Sequence, residues 1–225
     1  DKCRILKEIG IDEIVSLDFE AVKDNICFRL VNYKKNETQL QNMPHRKFLD
    51  LAIVYIVSVQ FEDANGSIRV TDHLLAKWGV CEQTLYDIAV RNTPCCNEWI
   101  VKPLKDVVAE TLQEKSVSCT DEMLKDFDFP FFIASNTQKL FGAAVLLYPE
   151  ITRKMSRLLG NCNLYILPSS VHEVIILEEL KEIEPKELIQ TVREVNRAEV
   201  QPEEMLSDNI YFYDARNDNL LMLTE

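Results

Sequence analysis

"LYILPSSVHEVIIL", residues 164–177, decides the fold. Two apolar runs flank a proline and two serines. Read as a helix start, Ser170-x-x-Glu173 would be a capping box. Read as extended chain, the stretch is strand, turn and strand. Val171, Val174, Ile175 and Ile176 favour the extended reading over the helix cap. Branching at Cβ restricts their rotamers in a helix and suits a pleated sheet. Pro168, Ser169 and Ser170 fit a tight connection. The reading is therefore two paired strands, 164–167 and 171–177, around a corner.

The same corner holds the one close grouping of serine, histidine and acid. Along an extended 171–177, Ser170, His172, Val174 and Ile176 share one face, and Val171, Glu173 and Ile175 the other. His172 and Glu173 then point apart and cannot jointly hold a metal. Ser170 and His172 share a face but stand about 7 Å apart along the backbone. A serine nucleophile needs its base at about 2.6–3.2 Å and a third group to orient that base. The G-x-S-x-G elbow is missing. Ser169, Ser170 and His172 are the candidate binding group, and a plain chain reversal is the preferred account of them. No catalytic residue, metal site or cofactor is assigned.

Outward from the corner, the remaining segments fall into strands and helices. "NICFRLVNY" (25–33) reads as a strand, and "FLDLAIVYIVSVQF" (48–61), apolar on both faces, as a central one. Asn65-Gly66 predicts the turn of a hairpin that continues into strand 68–71. Helices are expected over 71–79, with Thr71 or Asp72 as N-cap and Gly79 as stop; over 81–94, ending before Pro94; and over 102–113, with Pro103 in the first turn. In the second half, 131–135 and 141–148 read as paired strands. A helix from Pro149 should bury Ile151, Met155, Leu158 and Leu159, and one from Pro185 should bury Leu188, Ile189, Val192 and Val195. Residues 209–223 read as a hairpin. The sum is an α+β fold with a mainly antiparallel sheet, expected as a single domain over 1–225 with a candidate lobe boundary near 113–125.

Composition limits the function classes. A net charge of −12 disfavours nucleic acid, which is held by a basic face. From Glu178 to Glu225 there are 13 acids and 5 bases, so most of the excess sits at one end. That end is a solvated surface or, more sharply, a docking face for a basic partner. Seven cysteines without a C-x-x-C pair argue against a zinc ribbon and fit a reducing cytoplasm. Adjacent Cys95 and Cys96 read as ordinary thiols. The apolar run 51–59 is about half the roughly 20 residues a membrane helix needs. A start at Asp1 suggests sequence upstream. Only five glycines occur and none cluster, which leaves no phosphate-cradling loop. Arg153, Lys154 and Arg157 make a small basic face, a candidate anion site, with a solvated helix face as the default.

Several segments together, 48–55, 78–94, 142–148, 167–177 and 206–214, resemble a bacterial family of uncharacterised proteins from gut anaerobes, classified as a domain of unknown function. The spacing W-G-V-x4-L-x3-A-x2-N, Trp78 to Asn92, is also distantly similar to a second uncharacterised bacterial family. The resemblance implies a bacterial, cytoplasmic protein and brings no reaction or site residue. The expected function is a non-enzymatic protein-interaction or regulatory module with a protein partner. The alternative is a serine-dependent hydrolase or ligand-binding enzyme centred on Ser169, Ser170 and His172.

Overall fold

The computed structural model describes residues 18–60, 65–96, 98–116, 130–168, 170–180 and 182–224. The chain divides into two compact units, Asp1–Glu98 and Trp99–Glu225. The polar stretch 113–125 falls within the second unit, and its residues 117–125 lie outside the described ones.

In the first unit, α1 (Phe19–Val22) and a 3-10 turn (Lys23–Asn25) lead into β1 (Ile26–Asn32). A short helix, α2 (Glu37–Leu40), precedes β2 (His45–Phe48), β3 (Leu51–Gln60) and β4 (Asn65–Arg69). Strand β3 is the centre, as its sequence predicts. β1 pairs antiparallel along Leu51–Val57, while β2 and β4 lie end to end along the other edge, pairing at Phe48↔Leu51 and Gln60↔Asn65 respectively. With both edges bonded, Leu51 to Val57 are at most 8% exposed. A strand shielded on both faces has no polar side to alternate with.

Two helices follow. Thr71 caps α3 (Asp72–Trp78) by accepting from the Leu74 N–H at 3.3 Å, and Gly79 stops it at φ 66°. The next helix, α4 (Glu82–Cys96), buries Leu85, Ala89 and Thr93. Its first turn is fixed by Glu82, which accepts from the Tyr55 hydroxyl and pairs with Arg46 at 2.9 Å. Arg46 also stacks 3.8 Å above the Tyr86 ring. Burial, then the bond to Glu82, pushes the Tyr55 phenol far above its ordinary range.

The second unit is built on a six-stranded antiparallel sheet of order β10-β9-β7-β8-β6-β5. Its elements in chain order are β5 (Trp99–Pro103), α5 (Leu104–Glu114), β6 (Phe131–Asn136), a 3-10 helix (Gly142–Leu147), α6 (Pro149–Leu158), β7 (Leu164–Leu167), β8 (Val174–Glu178), α7 (Pro185–Glu199), β9 (Ile210–Asp214) and β10 (Asn219–Leu223). One core joins Ile189 and Val192 of α7 to Tyr165, Leu177 and Ile210 of the sheet. The α+β class with antiparallel pairing is therefore observed, and 164–178 is strand, connection and strand.

Several local expectations are corrected. Residues 141–148 are not a strand: Phe141 turns left-handed at φ 55°, and Gly142–Leu147 winds into a 3-10 helix. The partners of β6 are β5 and β8 instead. Asn65 and Gly66 are not the turn: they pair with Gln60 and Val59 in the β3–β4 ladder, and residues 61–64 lie outside the described ones. Helix α4 runs through Pro94 to Cys96, because a proline in the last turn removes one N–H near the end rather than breaking the middle. Lys102 and Pro103, expected in the first turn of a helix, instead end the edge strand β5, and α5 begins at Leu104. Leu158 is 68% exposed and Val195 43%; their helices bury Thr152, Met155 and Ser156, and Ile189, Val192 and Asn196. The strand expected from 171 begins at Val174.

Candidate functional site

Residues 170–173 are laced by hydrogen bonds. The Ser170 hydroxyl accepts from the His172 N–H at 3.0 Å, a local side-chain bond typical of serine in turns. The Val171 N–H donates to the Glu204 carbonyl at 2.8 Å, and its carbonyl accepts from Ala143 N–H at 3.2 Å. The Ser135 hydroxyl donates to the His172 carbonyl at 2.7 Å. Gly142 is needed here: a Cβ on it would come within 2.7 Å of Ser135 Oγ, the His172 carbonyl oxygen and Asn136 N. Ser169 lies outside the described residues.

The imidazole of His172 is held on both sides. Nδ1 accepts from the Phe141 N–H at 3.2 Å, and Nε2 meets Glu204 Oε1 at 3.4 Å. The Phe141 ring lies against it, 5.5 Å between centroids. An Nδ1 acting as acceptor fixes the neutral ring in its Nε2–H form, which points at the carboxylate. An acid from a distant segment does reach the histidine, as the hydrolase alternative requires. The nitrogen opposite that acid, however, is occupied by a backbone amide rather than by Ser170. No lone pair of the neutral ring then remains to take a serine proton.

A second group surrounds the β9–β10 turn. Arg153 of α6 grips Asp218 with Nε at 2.8 and 2.9 Å and Nη2 at 2.7 Å, and the Tyr213 hydroxyl donates to the same carboxylate at 2.8 Å. Asp214 accepts from the Arg216 and Asn217 N–H groups, and Asn163 accepts from Ala215 N–H. The Arg153 bonds, followed by that of Tyr213, hold the Asp218 carboxyl below its ordinary range, and burial raises the Tyr213 phenol to about 12. Arg153 and Arg157 line a hollow of about 280 Å³ with Ser156, Asn161, Tyr213 and Asp218. Lys154 is exposed and does not line it. The three basic residues therefore do not share one hollow, and Arg153 already holds the Asp218 carboxylate.

Beyond that turn lies β10. It pairs with β9 on one side and, among the described residues, has no strand on the other. Its sequence Asn-Leu-Leu-Met-Leu carries no charge, and Leu221 and Met222 are exposed. The hairpin was legible in the sequence. Its edge position was not, because strand order depends on which distant segments pair.

A model of a family of unknown function, DUF5688, matches residues 6–215. The chain belongs to that family. No curated protein and no solved structure matches it. In this DUF5688 chain the resembling segments occupy structural positions. Leu85 and Ala89 are fully buried, and Asn92 donates to the Lys23 and Ile26 carbonyls at 2.8 and 3.0 Å. Leu206 is likewise fully buried. Among the described residues there is no group of three or more His, Cys, Asp or Glu able to hold a metal, and no helix is long and apolar enough to cross a membrane.

Proposed function

We propose that this chain is a protein-docking module in which the outer edge of β10 receives an extended segment of a partner. The carrying observation is an uncharged edge strand with exposed Leu221 and Met222, projecting from a turn pinned by Arg153, Tyr213 and Asn163. Native sheets commonly blunt such edges with charge, proline or a covering element, and an edge left open is a template for strand addition. The net −8 of residues 178–225 supports a partner segment with basic flanks. A bacterial, gut-anaerobe source and a cytoplasmic setting belong to the same reading and rest on the family resemblance.

The test is crosslinking capture from the source cell, followed by hydrogen exchange on the purified complex. Protection confined to the amides of 219–223, lost in Leu221→Lys with the fold retained, is the expected result. Protection elsewhere, or no specific partner, counts against the reading. The Glu204–His172 pair favours the hydrolase alternative. For that reading a fluorophosphonate probe should label the protein and Ser170→Ala should abolish labelling. The occupied Nδ1 leads us to expect no labelling.

A further inference from the structure

We infer that Cys27 and Cys96 form a thiol pair that closes to a disulfide under oxidation. The two sulfurs stand 3.2 Å apart, although the residues are 69 positions apart in sequence. Closing by roughly 1.2 Å would bring them to the bond length of about 2.05 Å.

The surroundings hold the pair in register. Both neighbours of Cys27 are tied to the turn of α4 just before Cys96. The Phe28 N–H donates to Thr93 Oγ1 at 3.1 Å, and the Ile26 carbonyl accepts from Asn92 Nδ2 at 3.0 Å. Thr93 in turn donates to the Ala89 carbonyl at 2.7 Å. Holding two reactants in place converts an encounter between them into an internal step. The remaining adjustment is available at the end of α4. Pro94 supplies no N–H to the helix, so the last turn, which carries Cys95 and Cys96, is held by one helical bond fewer.

Access differs between the two sulfurs. Cys27 is 3% exposed, whereas Cys96 is half-buried and within reach of a small reagent. The oxidant class is a low-molecular-weight disulfide. The Cys96 thiolate attacks one sulfur of that reagent; its S–S bond breaks, and one thiolate leaves and takes up a proton. The Cys27 thiolate then attacks the Cys96 sulfur of the mixed disulfide and displaces the second thiolate. The two cysteines lose two electrons and two protons, and the reagent becomes two thiols. Neighbouring Cys95 does not compete in this geometry. It is exposed, and its thiol donates to the Arg91 carbonyl at 3.3 Å. The bond would tether the end of α4, just before the Glu98–Trp99 boundary, to the sheet of the first unit.

The experiment uses the full chain with exposed Cys81 replaced (Cys81→Ser). It is equilibrated in buffers of graded oxidised-to-reduced glutathione ratio, quenched in denaturant with an alkylating agent, and mapped by peptide mass spectrometry. Cys27 and Cys96 should lose alkylation together and appear as one joined peptide pair about 2 Da below the sum of the two thiol peptides, reflecting the two protons lost. Cys27→Ser and Cys27→Ala should each leave a persistent glutathione adduct at Cys96, and Cys96→Ser should leave Cys27 fully alkylated. Cys95→Ser should close as the parent does. A Cys95–Cys96 product overturns the inference. So does a Cys27 that stays fully reduced while Cys96 carries glutathione.

Discussion

Two sheet edges of this molecule are treated in opposite ways. The edge of β1 is sealed: a helix lies along it, and Thr93 and Asn92 bond to its Phe28 amide and Ile26 carbonyl. Its first five residues are buried. The edge of β10 has three exposed residues out of five and, among the described residues, no covering strand. Both edges pair antiparallel on their inner side, so backbone geometry does not separate them. What separates them is where the outward-facing peptide groups find partners. At β1 the Phe28 amide and the Ile26 carbonyl find them in α4; at β10, among the described residues, no strand supplies them.

The contrast can be broken most directly by loosening the seal. Leu85→Ala removes a fully buried side chain from α4 and should cost about 2–5 kcal/mol, read as a lower urea midpoint. A loss of only a few tenths would mean that α4 is not what holds this unit shut. Thr93→Val keeps the shape but removes the hydrogen bond from the Phe28 N–H, which should cost about 1–3 kcal/mol. Hydrogen exchange should show that amide opening faster. At the other edge, Leu221→Lys should change stability by no more than about 0.5 kcal/mol while abolishing partner capture. A larger loss would show that Leu221 belongs to the core.

The smallest effect concerns pH. The Asp218 carboxyl is held low in the folded chain by Arg153, then by Tyr213. Such a group contributes stability above its unfolded pKa of about 3.9, and that contribution is lost as pH falls through the folded value. The β9–β10 turn should therefore stay docked on α6 at neutral pH and release only in acid below about pH 4. Side-chain NMR of Arg153 should follow the transition, and Asp218→Asn should remove it.

Legibility in the sequence followed how locally each feature is determined. Strand β3, the Thr71 cap, the Gly79 stop and the 164–178 reversal rest on neighbouring residues and could be read. The 141–148 segment could not, because its residues 143–146 are a continuous apolar run, all buried in the fold, that gives periodicity nothing to work with. Strand β2, His-Arg-Lys-Phe, is short and polar, and the residue that reverses the chain after it is Leu49, at φ 54° where glycine is usual. Of the candidate site, Ser170 was rightly placed in a corner. The fate of His172 turned on Phe141 and Glu204, 31 and 32 positions away, and no local pattern carries that information.

The double pairing of β3 also sets where this chain can grow. Adding one residue among 51–54 would rotate every later side chain of the segment to the opposite face and disturb its register with three neighbours at once. A gene lineage can lengthen the loops on either side of that segment, but an insertion among 51–54 would have to be compensated in three other places.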